Sequence, residues 1–206
     1  MIVSKAAVLG IVLALGGVQS ADAATFIYTG TFSGTVENPP NASLGTGTTT
    51  VIFNDITNLL SIEANFAGLT GATTVAHIHC CAFPTTANAG VATTTPSFAG
   101  FPTGVTSGNF FQVLDLSATG SFNPTFLTAN GGTTALARTA LVAGLDRGQA
   151  YFNIHTSAFR AGEIRADLVP AIPEPATWLM MIVGFGAIGG AMRVARRKQP
   201  VAFIAA

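Results

Sequence analysis

Tyr151-Phe152-Asn153-Ile154-His155-Thr156, followed by Gly162-Glu163-Ile164-Arg165, is the stretch on which the fold turns. It answers an earlier run, Ala76-His77-Ile78-His79-Cys80-Cys81. Both alternate polar and apolar residues with period two, the pattern of a half-buried β-strand. Val75, His77 and His79 then share one face of the first strand, with Ala76 and Ile78 on the other. On the second, Tyr151, Asn153 and His155 face one way and Phe152 and Ile154 the opposite way. All three histidines of the chain therefore fall in two short strands.

Working outward, the same alternation recurs. Phe26, Tyr28, Gly30, Phe32, Gly34 and Val36 alternate with Ile27, Thr29, Thr31, Ser33 and Thr35, an aromatic inner face against a hydroxyl outer one. Asn38-Pro39-Pro40-Asn41 breaks that strand. Further strands fit Thr48 to Phe53, Leu60 to Phe66, Thr74 to about Cys81, and Asn109 to Leu116. A closing hairpin pairs Gln149–Thr156 with Glu163–Val169. Residues 82 to 108, with Pro84, Pro96 and Pro102, read as a loop, and Gly90 to Thr94 supplies a short strand inside it. A loop of that length in a compact domain is functional or misread. Thr133 to Ala143, rich in Ala and Leu and closed by Gly144, is the expected helix. The expectation is an all-β, antiparallel β-sandwich (Greek-key/Ig-like or barrel-like) with one short helix.

Both ends differ from this middle. Met1 to Ala23 has a positive residue at Lys5, an apolar run from Ala6 to Val18 and a small-x-small site at Ala21-Asp22-Ala23, the layout of a secretory signal peptide. Ala171-Ile172-Pro173-Glu174-Pro175 opens a second segment. There an apolar run from Ala176 to Met192 is followed by Arg193, Arg196, Arg197 and Lys198. That run reads as a C-terminal transmembrane helix, with the basic cluster holding residues 199–206 in the cytoplasm. The expected organisation is thus signal peptide 1–23, β domain 24–170, transmembrane segment 171–198 and tail 199–206.

Charged residues make up only 9% of the 206, against roughly 25% in an ordinary soluble domain. Thr and Gly take their place, so hydroxyls rather than charges meet the solvent. Residues 24 to 170 hold four Arg and no Lys against seven Asp or Glu, a net charge of −3. No basic stripe exists to neutralise phosphates, which excludes nucleic acid as a partner.

His77, His79 and Cys81 occupy alternate strand positions, and His155 comes from a second strand. Such a set suits copper or zinc. The simpler expectation is that these ring nitrogens bond backbone groups and steady the strand pairing, with no metal or other cofactor. The His-x-His strand is similar to that of copper-zinc superoxide dismutase, but no further histidines complete a two-metal site, so a redox reaction is not expected. Cys80 and Cys81, adjacent in an exported chain, leave a vicinal disulfide, free thiols and intermolecular bridges all open. Glu163, Arg165 and Asp167 read as a solvated outer face on the last strand, with Arg165 neutralising its neighbours. No Ser–His–Asp order, phosphate loop or zinc-protease helix occurs, and the chain is expected not to be an enzyme.

Ala76-His77-Ile78-His79, Ala89-Gly90-Val91, Gly148 to Thr156 and Gly162-Glu163-Ile164-Arg165 together resemble the CHRD (chordin-type) domain over about residues 26 to 168. That resemblance implies a β-rich extracellular module with no established reaction. Pro173-Glu174-Pro175, Trp178 and the basic Arg193, Arg196 and Arg197 resemble a PEP-CTERM sorting signal. It implies handling by an exosortase-type sorting enzyme, membrane anchoring before processing, and residence at the envelope surface or in secreted matrix. A matrix polysaccharide is a further partner such a setting offers.

Overall fold

The computed structural model describes residues 24–171 and 175–197. The signal-peptide reading of 1–23, Pro173, Glu174 and Lys198 of the 171–198 segment, and the tail 199–206 lie outside them. Seven strands form one antiparallel sheet: β1 Thr25–Ser33, β2 Thr46–Asn54, β3 Leu59–Ala67, β4 Thr73–His79, β5 Gly108–Asp115, β6 Ala150–Thr156 and β7 Ile164–Pro170. Their order across the sheet is β4-β6-β7-β1-β2-β3-β5, curled into a half-barrel. The all-β, antiparallel expectation holds, and of the forms expected the structure is nearest the barrel-like one and not a two-sheet sandwich, because every strand belongs to one hydrogen-bonded ladder.

Period-two burial drives the curl. Tyr28, Phe32, Val51, Leu60, Ile62, Ala64, Leu114, Phe152 and Ile154 are buried, while Thr29, Thr31 and Thr48 between them are exposed. Burying apolar surface on one face at roughly 25 cal/mol per Å² is what a curled sheet gains over a flat one. The mouth of the half-barrel, between edge strands β4 and β5, is filled by aromatic rings from the long loop. Phe98 packs on Phe110 of β5 at 5.5 Å and on Phe152 of β6 at 5.4 Å, and Phe101 on Phe110 at 5.4 Å. Residues 82 to 107 are thus a working part of the fold. The loop also occupies the open edge of β4, with Ala92 donating to Ile78 O and a bridge between His79 and Val91.

Two helices, not one, lie between β5 and β6. α1 spans Pro124–Ala129, capped by Asn123, whose side chain accepts from Thr125 N. α2 spans Thr134–Asp146, capped by Thr133, and buries Ala137, Leu141 and Leu145. Gly144 was expected to end this helix but sits inside it, for a reason found in the disulfide below.

After β7 ends at Pro170, α3 runs Pro175–Arg197 and contains Trp178, Arg193, Arg196 and Arg197. Met181, Ile182, Val183, Phe185, Ile188 and Met192 on it are exposed. The expectation of a transmembrane helix is not supported. Among the described residues no helix is long and apolar enough to cross a membrane. The apolar side chains of α3 share it with Gly184, Gly186, Gly189 and Gly190, and Arg193 cuts the run short.

Candidate metal centre

The register of β4 against β6 sets Val75 opposite His155, His77 opposite Asn153 and His79 opposite Tyr151. Both strands turn these side chains to the same face, so the three imidazoles meet. Ring centroids are 5.7 Å apart for His77–His155, 5.9 Å for His77–His79 and 6.3 Å for His79–His155. One ring nitrogen from each lies within 4.8 Å of those of the other two.

Each ring is pinned from behind by a backbone carbonyl. His77 Nε2 donates to Pro96 O at 2.6 Å, His79 Nδ1 to Ala89 O at 2.9 Å and His155 Nδ1 to Arg160 O at 2.8 Å. A carbonyl only accepts, so the nitrogen it contacts carries the proton and the other nitrogen of each ring holds a bare lone pair. Those other nitrogens, His77 Nδ1, His79 Nε2 and His155 Nε2, are buried and have no hydrogen-bond partner. The expectation that backbone groups would satisfy these histidines is met at one nitrogen of each ring and not at the other. Leaving a buried acceptor unpaired costs on the order of 1–3 kcal/mol. Burial drives all three rings toward the neutral form, His79 down to about 4 and His77 and His155 in the same direction.

A fixed tautomer, an outward-bonded N–H and a bare inward nitrogen are the features of a metal-ligating histidine and its supporting shell. Three copies of that arrangement converge here. The nitrogens have the chemistry to hold a late first-row ion. With one nitrogen from each ring at most 4.8 Å from those of the other two, a central ion would stand no more than about 2.8 Å from each. Each nitrogen would have to move inward by up to about 0.7 Å to reach the roughly 2.0–2.1 Å of a metal–imidazole bond.

Cys81 does not join the set. β4 ends at His79, and the next two residues form a vicinal disulfide, Cys80–Cys81. It packs against α2, with Cys81 Sγ 3.6 Å from Ala140 O. A Cβ at position 144 would overlap both sulfurs, which is why glycine stands inside that helix. With both sulfurs in one bond, neither is a thiolate ligand.

Behind the trio the polar face continues across the sheet. His79 stacks on Tyr151 at 4.7 Å, and the Arg165 guanidinium lies 3.6 Å over the same ring. Arg165 was expected in solvent but is fully buried. It donates to Asp167 at 2.7 Å, to Thr85 O at 2.7 Å and to Ala87 O at 3.1 Å, thereby tying the long loop over this face. Glu163, also expected outside, is fully buried as well. Its carboxylate accepts from Ser43 Oγ, Thr156 Oγ1 and the amides of Thr70 and Gly71. Burial alone would raise its pKa, but these four donors together hold it below the usual range.

Glu37 escaped the sequence reading. It accepts from Asn153 Nδ2 at 2.6 Å, and burial lifts its carboxyl to about 7 against the lowering pull of Arg165 and its hydrogen bonds. The pinning carbonyls of Pro96, Ala89 and Arg160 were equally hidden, because a backbone acceptor has no sequence signature. The one available signal was the length of the loop that supplies two of them.

Comparison with known proteins adds two matches. The PEP-CTERM protein-sorting motif covers residues 171–198. It marks the chain for export, for membrane anchoring before processing by an exosortase-type system, and for the cell-envelope surface. No curated protein and no solved structure is similar enough to match. The CHRD domain model covers residues 28–168, containing both histidine strands and the whole polar face. The chain belongs to the CHRD domain family.

Proposed function

We propose that this protein is a non-enzymatic, exported module that carries a copper or zinc ion on His77, His79 and His155 at the envelope surface or in extracellular matrix. The carrying observation is the convergence of three buried ring nitrogens that have no partner, each on a ring held from behind by a carbonyl. Purely structural histidines would gain by spending both nitrogens, and Thr and Ser side chains are abundant in the chain. The non-enzymatic reading rests on the burial of those free nitrogens, which keeps a bound ion away from solvent. Exposed Thr29, Thr31 and Thr48 make the outer sheet face compatible with a polysaccharide matrix.

The test is elemental analysis of the full chain purified from envelope fractions in mild detergent, before and after dialysis against copper or zinc. The expected result is one equivalent of metal, lost in His155→Gln. A chain that carries none and takes up none overturns the reading and leaves the histidines structural.

A further inference from the structure

Resting on the reading of the histidine trio as a metal centre, we infer that its occupant is monovalent copper. Three properties of the site lead there: its charge, its coordination number and its closure.

The ligands are three neutral imidazoles. Among the described residues no Asp, Glu or Cys joins the three histidines within ligand distance of one another. The only cysteines are bound to each other. Behind the trio, Arg165 packs on the Tyr151 ring that stacks on His79 and is paired with Asp167, and Glu37 accepts from Asn153, so neither carboxylate serves as a ligand. A buried ion here keeps its full charge. The solvation it gives up scales with the square of that charge, so a divalent ion loses about four times what a monovalent ion loses.

Coordination number points the same way. Zinc in proteins is four-coordinate, and divalent copper prefers four or more ligands in a tetragonal arrangement. Here three imidazoles meet and each keeps one buried nitrogen without a partner, with no exposed surface at any of the three. Monovalent copper has a filled d shell and no geometric demand of that kind. Three nitrogens around it make a complete shell, with no water required. The second nitrogen of every ring is already spent on a carbonyl, so the rings cannot turn to recruit another ligand without losing a hydrogen bond of 2.6 to 2.9 Å.

The experiment uses the full chain in mild detergent under anaerobic conditions. Cuprous ion is offered as its coloured bicinchoninate complex, and loss of colour reads the transfer. We expect one equivalent to move to the protein and to stay there against roughly 100-fold excess zinc, a margin set by ligand preference and charge. His79→Asn and His155→Gln should each weaken capture by roughly 100-fold or more, the scale of a damaged ligand shell. Circular dichroism identifies a variant that has not folded, and His79 and His155 are both only partly buried. Because a reduced Cys80–Cys81 pair would also take cuprous ion, Cys80→Ser/Cys81→Ser is run beside them and should still capture one equivalent. Zinc or cupric ion bound as tightly as cuprous ion overturns the inference and leaves the metal centre standing, as does capture that follows the cysteines while zinc still needs the histidines. Failure to bind any of the three ions removes the metal centre and this inference together.

Discussion

Glu163 and the histidine trio are both buried polar clusters on the β6–β7 side of the same sheet, and they are built to opposite rules. Glu163 brings one carboxylate to four donors and uses every one of them. The histidines bring six ring nitrogens and use three. A fully bonded cluster ties segments together: Glu163 links the turn after β3, the β2 approach at Ser43 and the end of β6. A half-bonded cluster with its free atoms aimed at one point is stabilised by whatever enters that point. Satisfaction of buried polar atoms therefore separates architecture from site, where burial alone does not.

The comparison breaks most visibly at its satisfied half. Glu163→Gln keeps the shape but turns an amide NH₂ toward donors that now lack an acceptor. The expected loss is about 2–3 kcal/mol in chemical denaturation, with no dependence on added metal. A loss below about 0.5 kcal/mol would show that the four hydrogen bonds contribute nothing net.

A second test uses pH, because the histidines and the buried Glu37 beside them titrate with opposite sign. Each histidine has its pKa lowered on folding, His79 from 6.5 to about 4. The unfolded chain then binds more protons than the native one, so this stability is lost as pH falls from 6.5 toward 4. Glu37 is raised from 4.5 to about 7, so its contribution is complete below pH 4.5 and disappears as pH rises toward 7. Between about pH 5 and 6 the two oppose each other. Glu37→Gln should leave the histidine part alone, steepening the rise of stability with pH by roughly 1 kcal/mol per unit. Urea midpoints across that window read the slope, and equal slopes for variant and wild type would refute the assignment.

The smallest effect belongs to the unsatisfied half. In metal-free protein, His155→Gln removes one carbonyl hydrogen bond and one orphaned lone pair together. These offset, and the expected change in thermal stability corresponds to less than about 1 kcal/mol. A drop several times larger would mean that the second nitrogen of His155 has a partner after all.

Much of the fold was legible in the chain because alternation of apolar and polar residues is a local property. It located all seven strands within a few residues and paired the last two as a hairpin. What alternation does not encode is how far a sheet curls, so it leaves a sandwich and a barrel-like sheet both open where the structure has a single half-barrel. Nor does it tell an exposed polar face from a buried one. Glu163-Ile164-Arg165-Ala166-Asp167 alternates like a solvated edge, yet Glu163 and Arg165 are covered by the Ser43 segment and by the loop at Thr85 and Ala87. The histidines were legible as a group through their positions on two strands. Their supporting carbonyls were not, and neither was the departure of Cys81, which depends on a helix glycine more than sixty residues away.

The central claim concerns six atoms, and nitrogen resonances report on them directly. In ¹⁵N-labelled metal-free protein, His77 Nδ1, His79 Nε2 and His155 Nε2 should appear as unprotonated nitrogens, their ring partners as N–H. Titration with one equivalent of cuprous ion should move those three resonances together, in slow exchange, and leave the carbonyl-bonded nitrogens protonated. If the three move with neither cuprous ion nor zinc, or move only at large excess and independently of one another, the trio does not form a metal centre.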